Sequence, residues 1–496
     1  AFPHRHISNP SMRIRFCGAD RTVTGSSHAL EINGLNILLD MGMYQGPRAE
    51  ADRLNHYLPP HAASASALIL SHGHLDHCGK IPVLVKAGFR GPIFCTPGSA
   101  EVARVVMNDA AKIQLENCQY LNRRAINSVH PPLAPLYLPE DVPAVLELFH
   151  TVPYGQKIDL GKGVSFTFGD AGHILGSANV LLEWTENSAP RRLFFTGDVG
   201  RYDAPILRDP QSPAGPVDLL ITESTYGNAS HGPLADVGPQ LLDALKKIIA
   251  AKGRLLVPSF AVGRSQTMLW YIQDLVRRGA IPDIPVFIDS PMAVEMTQIT
   301  QKFCSDYCDV ESQALLKSSK ELFSYGRLTL ASTPQESKRI NQQPGPCVII
   351  ASSPTCEFGR ILYHLTQSVE QPEDMVIFVG WIPPATLGRR IQEGQKRVRI
   401  LDRWYELRCQ VRTIHGLSAH ADGDELLRFL APTLKPRTTA YVVHGEVDQA
   451  ETFAQRLVAG GVGRAVVPAM ESTVIDFAAA PAAATKSPAQ THEEGE

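Results

Sequence analysis

The run SHGHLDHCGK, residues 71–80, places His72, His74, Asp76 and His77 directly behind the apolar stretch ALIL. A short apolar run of this kind reads as a buried strand, so the four polar side chains stand where that strand ends and the chain turns. Alternation in an extended turn points His72 and His74 the same way, while Asp76 and His77, at the entry to a following helix, address a second point nearby. Imidazole and carboxylate donors suit zinc, and a hydrolytic site keeps one position open for water. The competing reading is a set of neutral surface histidines. Against it stands the crowding of four ligand-type residues into six positions.

Similar strand-like runs recur on both sides: NILLD, PIFCT, SFTFGD, RLFFTGD, DLLITE, RLLVPS, PVFIDS, CVIIAS, MVIFVG and AYVVHG. Helical patterns such as LADVGPQLLDALKKIIAAKG, RSQTMLWYIQDLVRRG, GRILYHLTQSV and DELLRFLAPTL lie between them, which predicts a layered α/β chain. Asp40, His72, Asp198, Glu223, Asp289, Ser352 and His444 all fall at or just past the C-terminal end of a predicted strand. That edge is where open α/β sheets bind ligands. Four side chains do not complete two hydrolytic metal sites, and further donors stand at matching places. His173 lies in GDAGHILGSANV, Asp198 follows RLFFTG, and His444 closes AYVV. A carboxylate at Asp198 could bridge two ions held roughly 3.5 to 4 Å apart. Each of the three alone reads as a turn or core residue; the set reads as a ligand shell.

At 496 residues the chain exceeds one ordinary core, so two or three domains are expected. A formal charge of −3, with 20% charged and 44% hydrophobic residues, describes a globular chain without global basicity. A polyanionic partner would have to be drawn by a local cleft and by metal ions. The nine cysteines are scattered singly, with neither a disulfide framework nor a CxxC zinc site, which points to a reducing, cytoplasmic setting. Cys304 and Cys308 could share a helical face, but read as ordinary semi-buried thiols. No apolar stretch approaches the roughly 18 residues of a membrane span, and the leader AFPHRHISNPS lacks the apolar segment of a secretion signal. Residues 1–11 are expected to form an extension before MRIRFCGA, and residues 478–496, AAAPAAATKSPAQTHEEGE, a disordered tail. A homodimer is admitted as an assembly.

From Asp40 through the HxHxDH turn to His173 and Asp198, the chain resembles the successive motifs of the metallo-β-lactamase superfamily. Glu223 in TESTYG, His420 in LSAHAD and His444 in VVHGE resemble the three extra motifs of its β-CASP branch, a group of nucleases, and FAVGRSQ, DSPMA and TLGRRIQEG fit the same branch. The resemblance runs from about Met12 to about Phe477 and is nearest to the short bacterial and archaeal form. It implies an α/β fold, the metallo-β-lactamase αββα sandwich with an inserted α/β cap. The metal domain would comprise residues 12–227 and 412–477, and the β-CASP cap residues 228–411.

The same resemblance implies two zinc ions, one on His72, His74 and His173, the other on Asp76, His77 and His444, with Asp198 bridging and a shared hydroxide as nucleophile. His420 becomes the general acid for the leaving 3′-oxygen, with Glu223 holding its ring. Glu223 otherwise reads as a helix-capping or salt-bridged acid. Asp40 would receive the N–H of a ligand histidine, and otherwise reads as a strand-end turn residue. Asp76 belongs to both the metal and the catalytic sets. Arg264, Ser352, Ser353 and Arg360 are expected to hold phosphates, and His28 to contact substrate. His415 lies outside the motif and reads as a pocket or surface histidine. The basic run from Arg389 to Arg399 is either a solvated helix face or an RNA-channel wall. One departure stands out: where the family has a glycine-rich turn, this chain reads SSPTCEFGR, with Pro354 and Thr355 replacing Gly-Met. Proline fixes φ and removes a donor N–H.

The expected activity is therefore zinc-dependent hydrolysis of single-stranded RNA, cut internally, in RNA processing or decay. The alternatives are a 5′–3′ exoribonuclease, a small-molecule hydrolase acting on a thioester, lactone or lactam, and an inactive scaffold. A small-molecule enzyme leaves the cap and the Glu223, His420 and His444 set unexplained. A scaffold leaves the filled ligand positions unexplained. His444 at the last motif favours RNA over DNA.

Overall fold

The computed structural model describes residues 12–124, 132–186, 188–323, 326–380, 382–469 and 474–476. The expected N-terminal extension and C-terminal tail lie outside the described residues.

Every second residue of Met12–Phe16, His28–Ile32 and Val164–Asp170 is buried, the period-two signature of strands with one face in a core. Two seven-stranded sheets result. The first runs Val474–Asp476, Met12–Phe16, His28–Ile32, Leu35–Leu39, Ala67–Ile69, Ile93–Cys95, Phe149–Thr151. The second runs Arg464–Val466, Thr439–Val442, Leu219–Thr222, Ala189–Phe195, Ala178–Glu186, Val164–Asp170, Lys157–Gly161. Phe16, Leu30, Ile69, Phe166, Phe168, Leu182 and Tyr441 fill the space between them. Helices Ile81–Lys86 and Pro97–Arg124 cover the outer face of the first sheet, and Gly423–Leu430 and Val447–Ala459 that of the second. The result is an αββα sandwich. Its last segment is integral to both sheets: Thr439–Val442 pairs in parallel with Leu219–Thr222, and Val474–Asp476 lies antiparallel to Met12–Phe16.

Between these segments the chain builds a third sheet of six parallel strands, ordered Leu328–Ala331, Val286–Asp289, Cys347–Ala351, Arg254–Pro258, Met375–Phe378, Gln410–Thr413. Val286–Asp289, Cys347–Ala351 and Met375–Phe378 are buried at every residue, as parallel strands covered by helices on both faces must be. One face packs on helices Val237–Ala251 and Arg264–Arg277, the other on Ile361–Ser368 and Leu387–Gln392. This inserted body sits on the sandwich. The Gly98 N–H donates to the Tyr307 hydroxyl at 3.1 Å, and Arg104 pairs with Glu295 at 2.8 Å. A separate hairpin, Arg397–Ile400 with Arg403–Glu406, packs against Ile361–Ser368 and Leu387–Gln392.

Candidate metal centre

Strand ends converge on one point. Leu35–Leu39 delivers Asp40, Ala67–Ile69 leads into the His72–His77 turn, Ala189–Phe195 delivers Asp198, Leu219–Thr222 delivers Glu223 and Thr439–Val442 delivers His444. Asp40 and His444 both adopt positive φ, +58° and +49°, in the sharp turns that aim them inward. His173 comes from the loop between Val164–Asp170 and Ala178–Glu186, and His420 from the segment that leaves the cap.

In the first pocket, His74 Nδ1 lies 3.1 Å from His72 Nε2 and 3.2 Å from His173 Nε2. Asp198 Oδ2 is 3.6 Å from the first of these Nε2 atoms and 3.7 Å from the second. His173 Nδ1 lies 3.1 Å from the Ala419 carbonyl, which can only accept, so the ring proton belongs there and Nε2 presents a lone pair. Burial pushes His74 down to about 4 and drives His72 and His173 well below the usual imidazole range. Neutral nitrogens thus face one another with more lone pairs than protons.

The second pocket is built by Asp76, His77 and His444. His444 Nε2 lies 3.3 Å from His77 Nε2 and 3.4 Å from Asp76 Oδ2. Behind it, His77 Nδ1 donates to Asp40 Oδ2 at 2.7 Å, and Asp40 is itself held by the Ser71 N–H at 2.7 Å and the Ser71 hydroxyl at 2.9 Å. Thr225 Oγ1 stands 3.2 Å from His444 Nδ1. Against the pull of burial, Asp198 and Asp40 hold His77 well above its ordinary value. Asp198 lies between the pockets, Oδ2 3.3 Å from His77 Nε2 and Oδ1 3.5 Å from His444 Nδ1. Burial opposes its ionisation, but His444, His77 and His420 keep it well below the carboxylate range. Both pockets gather their donor atoms within 4.8 Å of one another. Imidazole nitrogens turned inward, carboxylates with no arginine or lysine partner among the described residues, and hydrogen bonds to Asp40, the Ala419 carbonyl and Thr225 on the outer nitrogens fit two metal ions.

Beside Asp198 stands a third group. His420 Nδ1 is 3.2 Å from each oxygen of Glu223 and 3.9 Å from Asp198 Oδ2. Glu223 is fully buried and accepts the Val199 N–H at 2.5 Å and the Thr225 N–H at 3.3 Å. Burial alone would lower His420, yet Glu223, Asp198 and Asp76 push it up to about 9. His231 Nε2 reaches the His420 carbonyl at 3.2 Å, and the Tyr226 ring packs between the two imidazoles.

The expected substrate contacts are placed less uniformly. His28 is wholly buried between Phe16 and Phe195, its ring centroid 5.3 and 5.7 Å from theirs, so substrate does not reach it and the expectation of a contact is corrected. Arg264 opens its helix, donates to the Val379 carbonyl, stacks 5.5 Å from the Phe260 ring, and lines a cavity with His173, Arg201 and Ser418. Arg360 is already occupied: its guanidinium meets Asp289 at 2.6 Å, the Ala331 carbonyl at 3.1 Å and the Ser332 carbonyl at 2.6 Å. Ser352 contacts Ser290 at 3.3 Å. Ser353 turns inward to Thr355 at 3.2 Å, so the unusual turn closes on itself. His415 is exposed. Sequence reasoning missed Ser71, the Ala419 carbonyl and Thr225, which fix the outer nitrogens of three donor histidines. Ser71 and Thr225 carried a signal, as hydroxyls flanking His72 and Glu223.

Sequence profiles match three stretches of the chain. The metallo-β-lactamase superfamily domain matches residues 29–188, the β-CASP domain residues 265–391, and a zinc-dependent metallo-hydrolase RNA specificity domain residues 404–468. The chain belongs to the metallo-β-lactamase superfamily, in its β-CASP branch. It is similar to ribonuclease TTHA0252 of Thermus thermophilus, 34% identical over 450 residues that cover 91% of this chain and 97% of the relative. It also resembles the transcription termination factor FttA of Methanosarcina mazei, 28% identical over 92% of this chain and 71% of that protein. An RNase J-like protein of Methanocaldococcus jannaschii is 27% identical over 90% of this chain and 95% of its own length. A crystal structure of a protein of unknown function from Enterococcus faecalis shares the fold, with TM-score 0.52 at 12% identity, covering 94% of this chain and all of that one.

Proposed function

We propose that the protein is a zinc-dependent ribonuclease that cuts single-stranded RNA internally, in RNA processing or decay. Its similarity to a named ribonuclease over almost the whole chain supports RNA as the substrate class. The observation that carries the chemistry is the His420–Glu223 pair. An imidazole backed by a buried carboxylate, beside two donor pockets and needed by neither, is placed to donate a proton. A departing 3′-oxygen needs that proton; the thiolate of a thioester does not.

In this reading His72, His74 and His173 hold one zinc, Asp76, His77 and His444 the other, and Asp198 both. Zinc bound there supplies a water nucleophile at neutral pH and offsets charge on the scissile phosphate. The chain's own residues do the rest. Asp40, the Ala419 carbonyl and Thr225 fix the tautomers of His77, His173 and His444. Glu223 accepts a hydrogen bond from His420 Nδ1–H, so that the Nε2 proton can pass to the leaving 3′-oxygen and the products carry 5′-phosphate and 3′-hydroxyl ends. Arg264 and the Ser352 hydroxyl lie at strand ends of the cap, where neighbouring phosphates would pass; Arg360 serves Asp289 instead. Nine free cysteines suit a reducing cytoplasm, and no helix among the described residues is long and apolar enough to cross a membrane.

Circular and linear single-stranded RNA of one sequence test the reading together. Opening of the circle supports internal cleavage. Activity confined to linear RNA would assign an exonuclease path, and hydrolysis of lactones or thioesters with no nuclease activity would overturn the RNA reading.

A further inference from the structure

The hairpin Arg397–Ile400 and Arg403–Glu406 has two unlike faces. Val398 and Ile400 are buried in the cap's core with Phe378 and Leu387. On the other face Trp404 is 61% exposed, with Arg399 directly opposite it in the antiparallel register. The Arg397 guanidinium lies 5.8 Å from the Trp404 ring. An indole on an outward strand position keeps a large apolar face in water, and a partner that covers it gains the free energy of that burial. The ring's surroundings say which partner. Residues 396–406 carry Lys396, Arg397, Arg399 and Arg403 against Asp402, which pairs with Arg399 at 3.5 Å, and Glu406, which pairs with Arg408. The register puts Arg397 and Arg399 on the face of Trp404, and Arg403, opposite Ile400, on the other. On a chain whose formal charge is −3, such a patch is a local attractor for a polyanion.

A flat π-face framed by guanidinium groups has the chemistry of single-stranded nucleic-acid binding: bases stack on the ring and phosphates pair with the cations. An acidic protein surface would satisfy the cations but offers the indole no planar partner. We propose that this hairpin is a second binding site for single-stranded RNA, apart from the cleavage centre, with a base on Trp404 and flanking phosphates on Arg397 and Arg399. The proposal rests on the ribonuclease reading for its choice of nucleic acid, while its residues take no part in the chemistry.

Binding of a long, unstructured oligouridine to the full chain, followed by fluorescence anisotropy in an Asp198→Ala background that cannot cut it, separates the two. Trp404→Ala should weaken that binding roughly tenfold or more, and Trp404→Phe should restore most of it. Arg397→Gln with Arg399→Gln should flatten the dependence of affinity on salt by about one unit of slope per lost phosphate contact. With Asp198 intact, Trp404→Ala should leave cleavage of a uridine dinucleotide unchanged, because Trp404 takes no part in the chemistry. Equal affinity of Trp404→Ala and the parent for the oligouridine would overturn the proposal and assign the hairpin to another macromolecule. Equal losses on oligouridine and dinucleotide would overturn it too, as damage to the fold. Hairpin-dependent binding without hydrolysis by the parent enzyme would uphold this inference while removing the ribonuclease reading.

Discussion

Asp198 and Asp289 begin from similar circumstances and end in opposite ones. Both are fully or nearly fully buried aspartates at the C-terminal end of a strand, and both have histidine for company. Asp289 is satisfied from within: Arg360 binds Oδ1 at 2.6 Å, while His364 at 2.7 Å and Ser337 at 2.5 Å bind Oδ2. His364 is in turn held by Asn341 at 2.7 Å. Around Asp198 no arginine or lysine partner stands among the described residues, and nitrogens of five histidines lie within 3.9 Å of its oxygens. One cluster is neutralised by its own guanidinium and stiffens the cap. The other gathers negative charge and neutral donors about two points, and takes its positive charge from outside. A buried carboxylate becomes a functional centre when the fold withholds its counter-ion.

Substitutions should separate the two clusters cleanly. The largest effect is expected of Asp198→Ala: metal content falls and phosphodiester hydrolysis disappears, because the carboxylate that balances both cations is gone. Elemental analysis alongside RNA cleavage checks it, and full zinc content in an active Asp198→Ala protein would break the comparison. His420→Ala comes next. It should keep its metal and lose roughly 10² to 10⁴ in rate on RNA, with a much smaller loss on a nitrophenyl phosphodiester, whose leaving group needs no proton. Equal losses on both substrates would remove His420 from the acid role.

Asp289→Ala should act on stability instead, lowering it by about 3–5 kcal/mol in urea unfolding, because Arg360 and His364 are left without their buried partner. Metal content and the rate per folded molecule should hold. The smallest effect is in acid. Burial opposes the charge on Asp289, but His364, Ser337 and Arg360 hold its carboxyl below the ordinary value. A depressed folded value means stability that is present above an unfolded pKa of about 3.9 and lost as pH falls through the folded one. Asp289→Asn should therefore flatten the acid limb of the stability profile; an unchanged limb would mean that the carboxylate contributes nothing to it.

The sequence made much of this legible, for reasons that differ between residues. Runs such as ALIL, DLLITE and CVIIAS are strands because buried parallel or mixed sheets leave uninterrupted apolar runs, and polar residues just beyond them mark the edge where the site lies. His72, His74, Asp76 and His77 were readable from their spacing alone. The 28-residue helix Pro97–Arg124 was not, because its apolar face is built largely of alanine and valine and ends at Ala111, with no buried residue from Lys112 to Arg123. His28 and Arg360 misled for one reason: a polar side chain in a familiar motif says nothing about which way it turns, and here one points into an aromatic core and the other toward Asp289. The carbonyl of Ala419 carries no side-chain signal at all, and only tertiary placement brings it to His173.

Zinc content of the purified wild-type chain, measured by elemental analysis together with protein concentration and RNA cleavage on the same sample, tests the central contrast most directly. Two zinc ions per active chain are expected, both lost on chelation together with activity and both retained in Asp289→Asn. At most one tightly held metal in fully active protein would contradict the account.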